Sequence, residues 1–249
     1  MQQQPALSGL RERFPPLVTP VRLREKDDAH ATAVARAAEA GAGTIFHVGR
    51  FDMIEFAVVL EPYQPLHVSR RALFPAMNAL AETLAAECPP ERTIAFDYPG
   101  GLLFDHGLLG GGRLAWPEGT AEDAVPDWLV FSAMLRTGGF QELGFTLSSK
   151  ATTLEEAGYG EIDPDAFAAR FCKHLMVELD DWVENGFREV GQRYLARLER
   201  GGSADTFGID RSGDLMRLPK AGGPGVRRSY SEALAAADWF DPATGEPRR

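Results

Sequence analysis

The sequence predicts an α/β (α+β) fold, in which a sheet is packed with helices and a small C-terminal β-rich segment follows. Three observations carry that expectation. Between residues 94 and 135, short apolar runs alternate with tight turns, the pattern of consecutive hairpins. Residues 69–87, and the stretch opened by Asp163-Pro164, repeat apolar side chains at helical spacing. The chain has 249 residues and is 44% hydrophobic, enough for one large domain or for one domain with a small appendage.

Residues 1–24 hold Pro15, Pro16 and Pro20, which favour extended chain and turns over helix. Asp27 and Asp28 open an alanine-rich helix over 29–40, which stops at Gly41-Ala42-Gly43. Residues 45–48 and 54–60 read as two strands joined through Gly49-Arg50-Phe51-Asp52. The helix over 69–87 places Leu73, Met77, Leu80 and Leu84 on one face. Strands follow at 94–96, 102–104 and 108–116, with turns at Tyr98-Pro99-Gly100-Gly101 and Asp105-His106-Gly107. The next strand spans 127–135 and leads to a loop containing Gly138 and Gly139.

Asp163 and Pro164 make a sound helix start, a capping carboxylate followed by proline at the first helical position. The helix they open carries Phe167, Phe171, Leu175, Leu179 and Trp182 on one face. Asn185-Gly186 interrupts it, and Phe187, Val190, Tyr194 and Leu198 mark a second helix. Gly201-Gly202-Ser203 reads as a linker. Beyond it, residues 207–210 and 213–218 form a hairpin-like pair, then come a short helix at 231–237 and a polar tail. The expected organisation is an extended arm (1–26), a main domain (27–200) and a segment (204–249) too small to fold alone, docked onto that domain.

Composition narrows the function classes. Lys plus Arg number 26 against 36 Asp plus Glu, a net charge of -10, which argues against nonspecific nucleic-acid binding. No apolar run approaches the roughly 18 residues a bilayer-spanning helix needs, so no membrane association is expected. The start, Met1-Gln2-Gln3-Gln4-Pro5, lacks the pattern of a secretory signal. The two cysteines, Cys88 and Cys172, make neither a disulfide framework nor a metal-ligand spacing, so a cytoplasmic protein is expected. Lysine occurs only at Lys26, Lys150, Lys173 and Lys220.

Asp97-Tyr98-Pro99, Leu108-Leu109-Gly110, residues 129–135, Ala151-Thr152-Thr153-Leu154-Glu155-Glu156 and residues 207–215 are five segments whose types and order, over roughly residues 28–220, resemble the biotin/lipoate protein ligase family. Asp97-Tyr98-Pro99 and the strand after it resemble the family's Lys-Trp-Pro-Asn-Asp motif and hairpin. Leu108-Leu109-Gly110 resembles its Lys-(Leu/Ile)-Ala-Gly segment, and residues 129–135 sit where the family has a Val-Ile-Gly-Ile-Gly strand. Ala151-Thr152-Thr153-Leu154-Glu155-Glu156 resembles the Ala-Thr-Ser-Leu-x-Glu-Glu segment of biotin ligases. Residues 207–215 look like the start of their small C-terminal β domain. The resemblance implies a mixed sheet, biotin or lipoate as ligand, ATP and Mg²⁺ for acyl-adenylate formation, and a biotinyl or lipoyl carrier domain as partner.

The chain departs from that pattern where charge matters. The family's Gly-Arg-Gly-Arg-x-Gly-Arg loop corresponds to Gly41-Ala42-Gly43-Thr44, without arginine. Asp97 stands for the lysine of the Lys-Trp-Pro motif, and Gly107 for the lysine before Leu-Ala-Gly. Adenylation builds negative charge that fixed positive groups must stabilise, and a carboxylate at Asp97 opposes it.

The candidate substrate-binding residues are therefore Gly41, Gly43, Arg50, Asp97, Tyr98, Pro99, Gly110, Gly111, Gly112 and Arg113. Arg113 offers a bidentate grip on a carboxylate or phosphate, or else pairs with a surface carboxylate. Arg50 offers the same grip, or simply belongs to an exposed hairpin turn, Gly49-Arg50-Phe51-Asp52. Asp97 suits Mg²⁺, a ligand hydroxyl or an amide, or is an exposed strand-end carboxylate. The three glycines allow a ligand to lie against bare backbone, or mark a bulged, tightly packed strand. Trp116 and Trp128 read as core, Cys172 as a buried thiol, and none of the five histidines shows ligand spacing.

Three functions compete. A divergent ligase or acyltransferase needs an apolar slot edged by Tyr98 and residues 110–113. A binding module that has lost adenylation holds a small acid or a carrier domain. A purely structural protein fills the slot with its own side chains.

Overall fold

The computed structural model describes residues 4–138 and 150–248; Met1, Gln2, Gln3 and the expected loop residue Gly139 lie outside them. Its centre is a seven-stranded mixed sheet in the order β1-β2-β3-β7-β6-β5-β4. The strands are β1 (Thr19–Leu23), β2 (Thr44–Gly49), β3 (Met53–Leu60), β4 (Ile94–Asp97), β5 (Gly101–Phe104), β6 (Gly107–Ala115) and β7 (Leu129–Arg136). Only the β1–β2 pairing is parallel; the rest run antiparallel. Every residue of β7 is buried, because both faces of the sheet are covered there.

Helices α1 (Gln4–Arg13), α2 (Ala29–Ala40), α3 (Leu66–Ser69), α4 (Leu73–Ala85), α5 (Pro164–Asn185), α6 (Phe187–Ala196) and α7 (Tyr230–Ala236) surround this sheet. One face packs on α4, α5 and α6. Phe171 of α5 sits 4.6 Å from the Phe56 ring and stacks on Phe131 at 5.5 Å, and Phe74 meets Tyr194 edge-on. The opposite face is shared between α2 and a late hairpin. Buried Ala29, Ala33 and Ala37 form a stripe of small side chains that lets α2 lie close on Phe46, Val48, Ala57, Val59 and Val130.

The local signals explain the ends. The Asp28 carboxylate accepts from the Ala31 amide at 2.8 Å, and Asp163 accepts from those of Asp165 and Ala166. Gly41, at φ 74°, caps the end of α2. The helix expected over 69–87 begins later, at Leu73, behind a 3₁₀ turn (Arg70–Ala72). Pro75 has no N–H, and its ring would crowd the Arg71 carbonyl in a continuous α-helix.

Three further expectations are corrected. The stretch 1–24, expected extended, contains helix α1, and β1 joins the sheet edge. Pro5 falls in the first turn of α1, where its missing N–H is tolerated, and the next proline is Pro15, so the prolines end α1 rather than prevent it, and Leu10 and Phe14 hold it on the core. The expected polar tail is a docked hairpin, β11 (Phe240–Asp241) paired with β12 (Glu246–Pro247). Trp239 and Phe240 supply the apolar surface that anchors it. Before it, β8 (Thr206–Ile209), β9 (Leu215–Leu218) and β10 (Val226–Arg228) form a three-stranded sheet, one strand more than the expected pair.

Candidate functional site

On the sheet face opposite α5, α2 covers one half and the 238–248 hairpin the other. A polar seam runs between them. Glu55, Ser132 and Arg113 point into it from β3, β7 and β6; Arg113 lies directly opposite Ser132 in the ladder. The start of α2 closes the seam from above. The Ala29 amide donates to Glu55 Oε1 at 2.7 Å, a carboxylate placed where helix N–H groups are unpaired. Burial holds the Glu55 carboxyl above its ordinary range, partly offset by that amide and by Arg50.

His30 follows on the first turn of α2, with Nδ1 2.7 Å from Ser132 Oγ. Burial, reinforced by the charge of Arg113, pushes the imidazole down to about 4 against a weaker upward pull from Asp28. The ring is therefore neutral near pH 7, a base rather than a cation. The basic groups of the seam are arginines, and each is committed differently.

Arg50, in the β2–β3 turn, grips Asp52 through Nε at 2.9 Å and Nη2 at 2.7 Å. It also lies 3.8 Å from Glu55 and 3.5 Å from Glu246. The Asp52 hydrogen bonds raise the guanidinium pKa above its already high ordinary value. Arg136, 1% exposed, donates to the carbonyls of Leu108 (2.9 Å), Pro247 (2.6 Å) and Arg248. Arg113 makes no hydrogen bond or ion pair among the described residues; its guanidinium lies 4.1 Å over the Phe240 ring. It is partly buried, and desolvation lowers its pKa.

The structure thus brings Arg113, Arg50 and Gly111 together at the seam and distributes the other sequence-level candidates elsewhere. Gly111 faces the slot, where a Cβ would meet the Gly100 carbonyl at 2.3 Å and the Trp239 ring at 2.6 Å. Gly110 and Gly112 alternate to the helix-packed side; a Cβ on Gly112 would strike Phe131 and Met77. Asp97 is an exposed strand-end residue opposite Gly101. Tyr98 is buried, with its hydroxyl on the Gly213 carbonyl at 2.7 Å, and the Pro99 carbonyl accepts from Tyr194 at 2.9 Å. Gly41 and Gly43 lie at the far end of α2, roughly 18 Å of helix from His30. Gly43 abuts the Leu17 carbonyl.

Cys172 is buried without a base, its thiol pushed up to about 12. Trp116 and Trp128 pack partly buried on apolar clusters. His30, Asp52, Glu55, Ser132, Arg136 and Trp239 are the seam residues that sequence reasoning missed. Glu55 and Ser132 carried a signal, a polar side chain amid the apolar runs of 53–60 and 129–135, where burial demands a partner.

A separate groove of about 1410 Å³ opens where β3 ends and β7 begins, lined by Leu60, Leu129, Trp182 and Phe187 with Arg71 stacked on Phe187. None of the sequence-level candidates lines it. Among the described residues, no cluster of His, Cys, Asp or Glu is arranged to hold a metal ion, and no helix is long and apolar enough to cross a membrane.

The comparisons with known proteins agree with this architecture. The family model described as the biotin/lipoate A/B protein ligase family matches residues 14–196. A biotin protein ligase-like protein of unknown function from Silicibacter sp. TM1040 superposes with a TM-score of 0.76 at 20% identity, covering 89% of this chain and 98% of that one. The apo biotin protein ligase of Aquifex aeolicus gives 0.63 at 14% identity, covering 85% and 99%. The same enzyme in complex with biotin and ATP gives 0.59 at 15% identity, again covering 85% and 99%. At these identities the structural likeness shows the fold. No curated protein matches the sequence.

Proposed function

The chain belongs to the biotin/lipoate A/B protein ligase family, and on that premise we propose that it binds a small carboxylic acid of the biotin or lipoate class, or its acyl-adenylate, on the sheet face beside α2. The observation that carries this reading is Arg113. Among the described residues this partly buried guanidinium has no hydrogen bond or ion pair, so its solvent-facing donors are unmatched by the protein, and a ligand carboxylate supplies the planar, bidentate acceptor they fit. Gly111 leaves the floor of the slot flat, and Met53 and Met134 give it apolar walls. The Ser132 hydroxyl and His30 stand ready for polar atoms of the same ligand.

ATP and Mg²⁺, which the family implies, fit this donor set poorly. Asp52 occupies Arg50, carbonyls occupy Arg136, and Asp28, Glu55 and Glu246 add negative charge where a triphosphate would bring more. Acyl transfer to a carrier-protein lysine is the second reading, favoured by the family membership; His30, with its lowered basicity, is a weak acceptor for the proton of an incoming amine.

Calorimetric titration with biotin, lipoate and octanoate, each with and without ATP–Mg²⁺, tests the binding reading. Acid binding that ignores nucleotide and weakens about tenfold or more in Arg113→Ala is the expected result, the scale of a lost charge-assisted hydrogen bond. Unchanged affinity in Arg113→Ala removes the residue from the site. Binding that tightens with ATP–Mg²⁺ means adenylation proceeds on substitute residues.

A further inference from the structure

The slot proposed above already has an occupant, the chain's own 238–248 hairpin. Trp239 is 4% exposed and lays its ring on Gly111, with its Nε1 side toward Gly100. Phe240 lies under the guanidinium of Arg113, and the Glu246 carboxylate approaches Arg50 at 3.5 Å. An apolar ring on the glycine floor and a carboxylate beside an arginine are the two parts of a ring-bearing carboxylic acid. We propose that the hairpin is a pseudo-ligand, a removable cover whose docking excludes the acid. This rests on the acid-binding reading of the seam and names its regulation.

The hairpin is built to come off as a unit. Its strands are two residues each, and an isolated two-stranded hairpin is marginal in water. Its own backbone bonds are few: besides the strand pairing, Gly245 N–H to Asp241 O at 2.9 Å and Arg248 N–H to Trp239 O at 2.8 Å. What seats it is the sheet, through Trp239 among Met53 and Met134, and through Arg136 on the carbonyls of Pro247 and Arg248. The lead-in is the short α7, which ends at Ala237 in the left-handed conformation (φ 41°), unfavourable for a residue with a Cβ. Release frees the donors of Arg136 that the hairpin occupies and uncovers Arg113 and Gly111 together.

A competitor docked nine-tenths of the time lowers the apparent affinity of the acid about tenfold. The test is hydrogen exchange of residues 238–248 in the full chain, with and without biotin, lipoate or octanoate, alongside calorimetry on Trp239→Ala and the milder Glu246→Gln. Faster exchange of the hairpin on adding acid, with about tenfold tighter binding by Trp239→Ala and a smaller gain by Glu246→Gln, supports the proposal. If Trp239→Ala fails to fold, Glu246→Gln and the wild-type exchange decide. Acid that binds wild type and variants equally, while 238–248 stays protected, overturns the cover and leaves the acid reading standing. A hairpin that exchanges freely in a variant that still binds no acid overturns both.

Discussion

Arg113 and His30 show how single residues acquire chemistry from their neighbours. Arg113 is a half-covered fork with no acceptor among the described residues, and Lys in its place would keep the charge but lose the planar pair of donors. Arg113→Lys is therefore expected to bind a carboxylic acid more weakly than wild type and better than Arg113→Ala, measured by calorimetry. His30 makes a prediction about acid stability. Its folded pKa of about 4 lies below the ordinary 6.5. Between those values the unfolded chain takes up a proton that the folded one refuses, so stability falls as pH drops through that window and is unaffected above it. His30→Gln should flatten this part of the curve of denaturant midpoint against pH; an unchanged slope would place the cause in other groups. Near this window's lower end, Asp165 acts in the same direction, since the neighbouring His47 holds its carboxyl below the ordinary range.

Among the elements, β6 and α5 were the most legible. The glycines of β6 alternate faces, and the face of each decides what it touches: a helix-packed core for Gly112, the hairpin for Gly111. A side chain at Gly111 should therefore act on the hairpin and on the turn at Gly100 rather than on the helices. Gly111→Ala is expected to raise amide exchange across 238–248 with little change across α4 and α5; equal change in both would place the strain in the core. The start of α5 shows the same local logic. Asp163→Ala removes the acceptor for two orphan amides and the Arg13 ion pair, and should cost about 1 kcal/mol in chemical denaturation. The region before Pro15 was not legible as helix, because α1 is held by Leu10 and Phe14 on a distant core rather than by its own propensity.

For the whole molecule, an aromatic layer joins the sheet to α4, α5 and α6. Phe171 touches Phe56 and Phe131 from one helix and is fully buried. Phe171→Ala should cost about 3–5 kcal/mol by denaturant unfolding, from lost burial and the cavity left behind. A cost well under 2 kcal/mol would mean the layer collapses to fill the gap. This layer lies on the face opposite the seam, so acid binding in the surviving folded fraction should be unaffected.

By itself, the sequence determined the α/β class, the order of the main strands and helices from Ala29 to Ala196, and the caps at Asp28 and Asp163. These follow from period, turn chemistry and local hydrogen bonding, all of which act over a few residues. The tertiary structure alone decided that His30, Glu55, Ser132 and Arg136 share one seam, that Tyr98 and Pro99 serve the opposite packing, and that Trp239 covers Gly111. Those contacts join residues from tens to well over a hundred positions apart, chosen by which sheet face each strand residue points to. No local rule in the sequence encodes that choice.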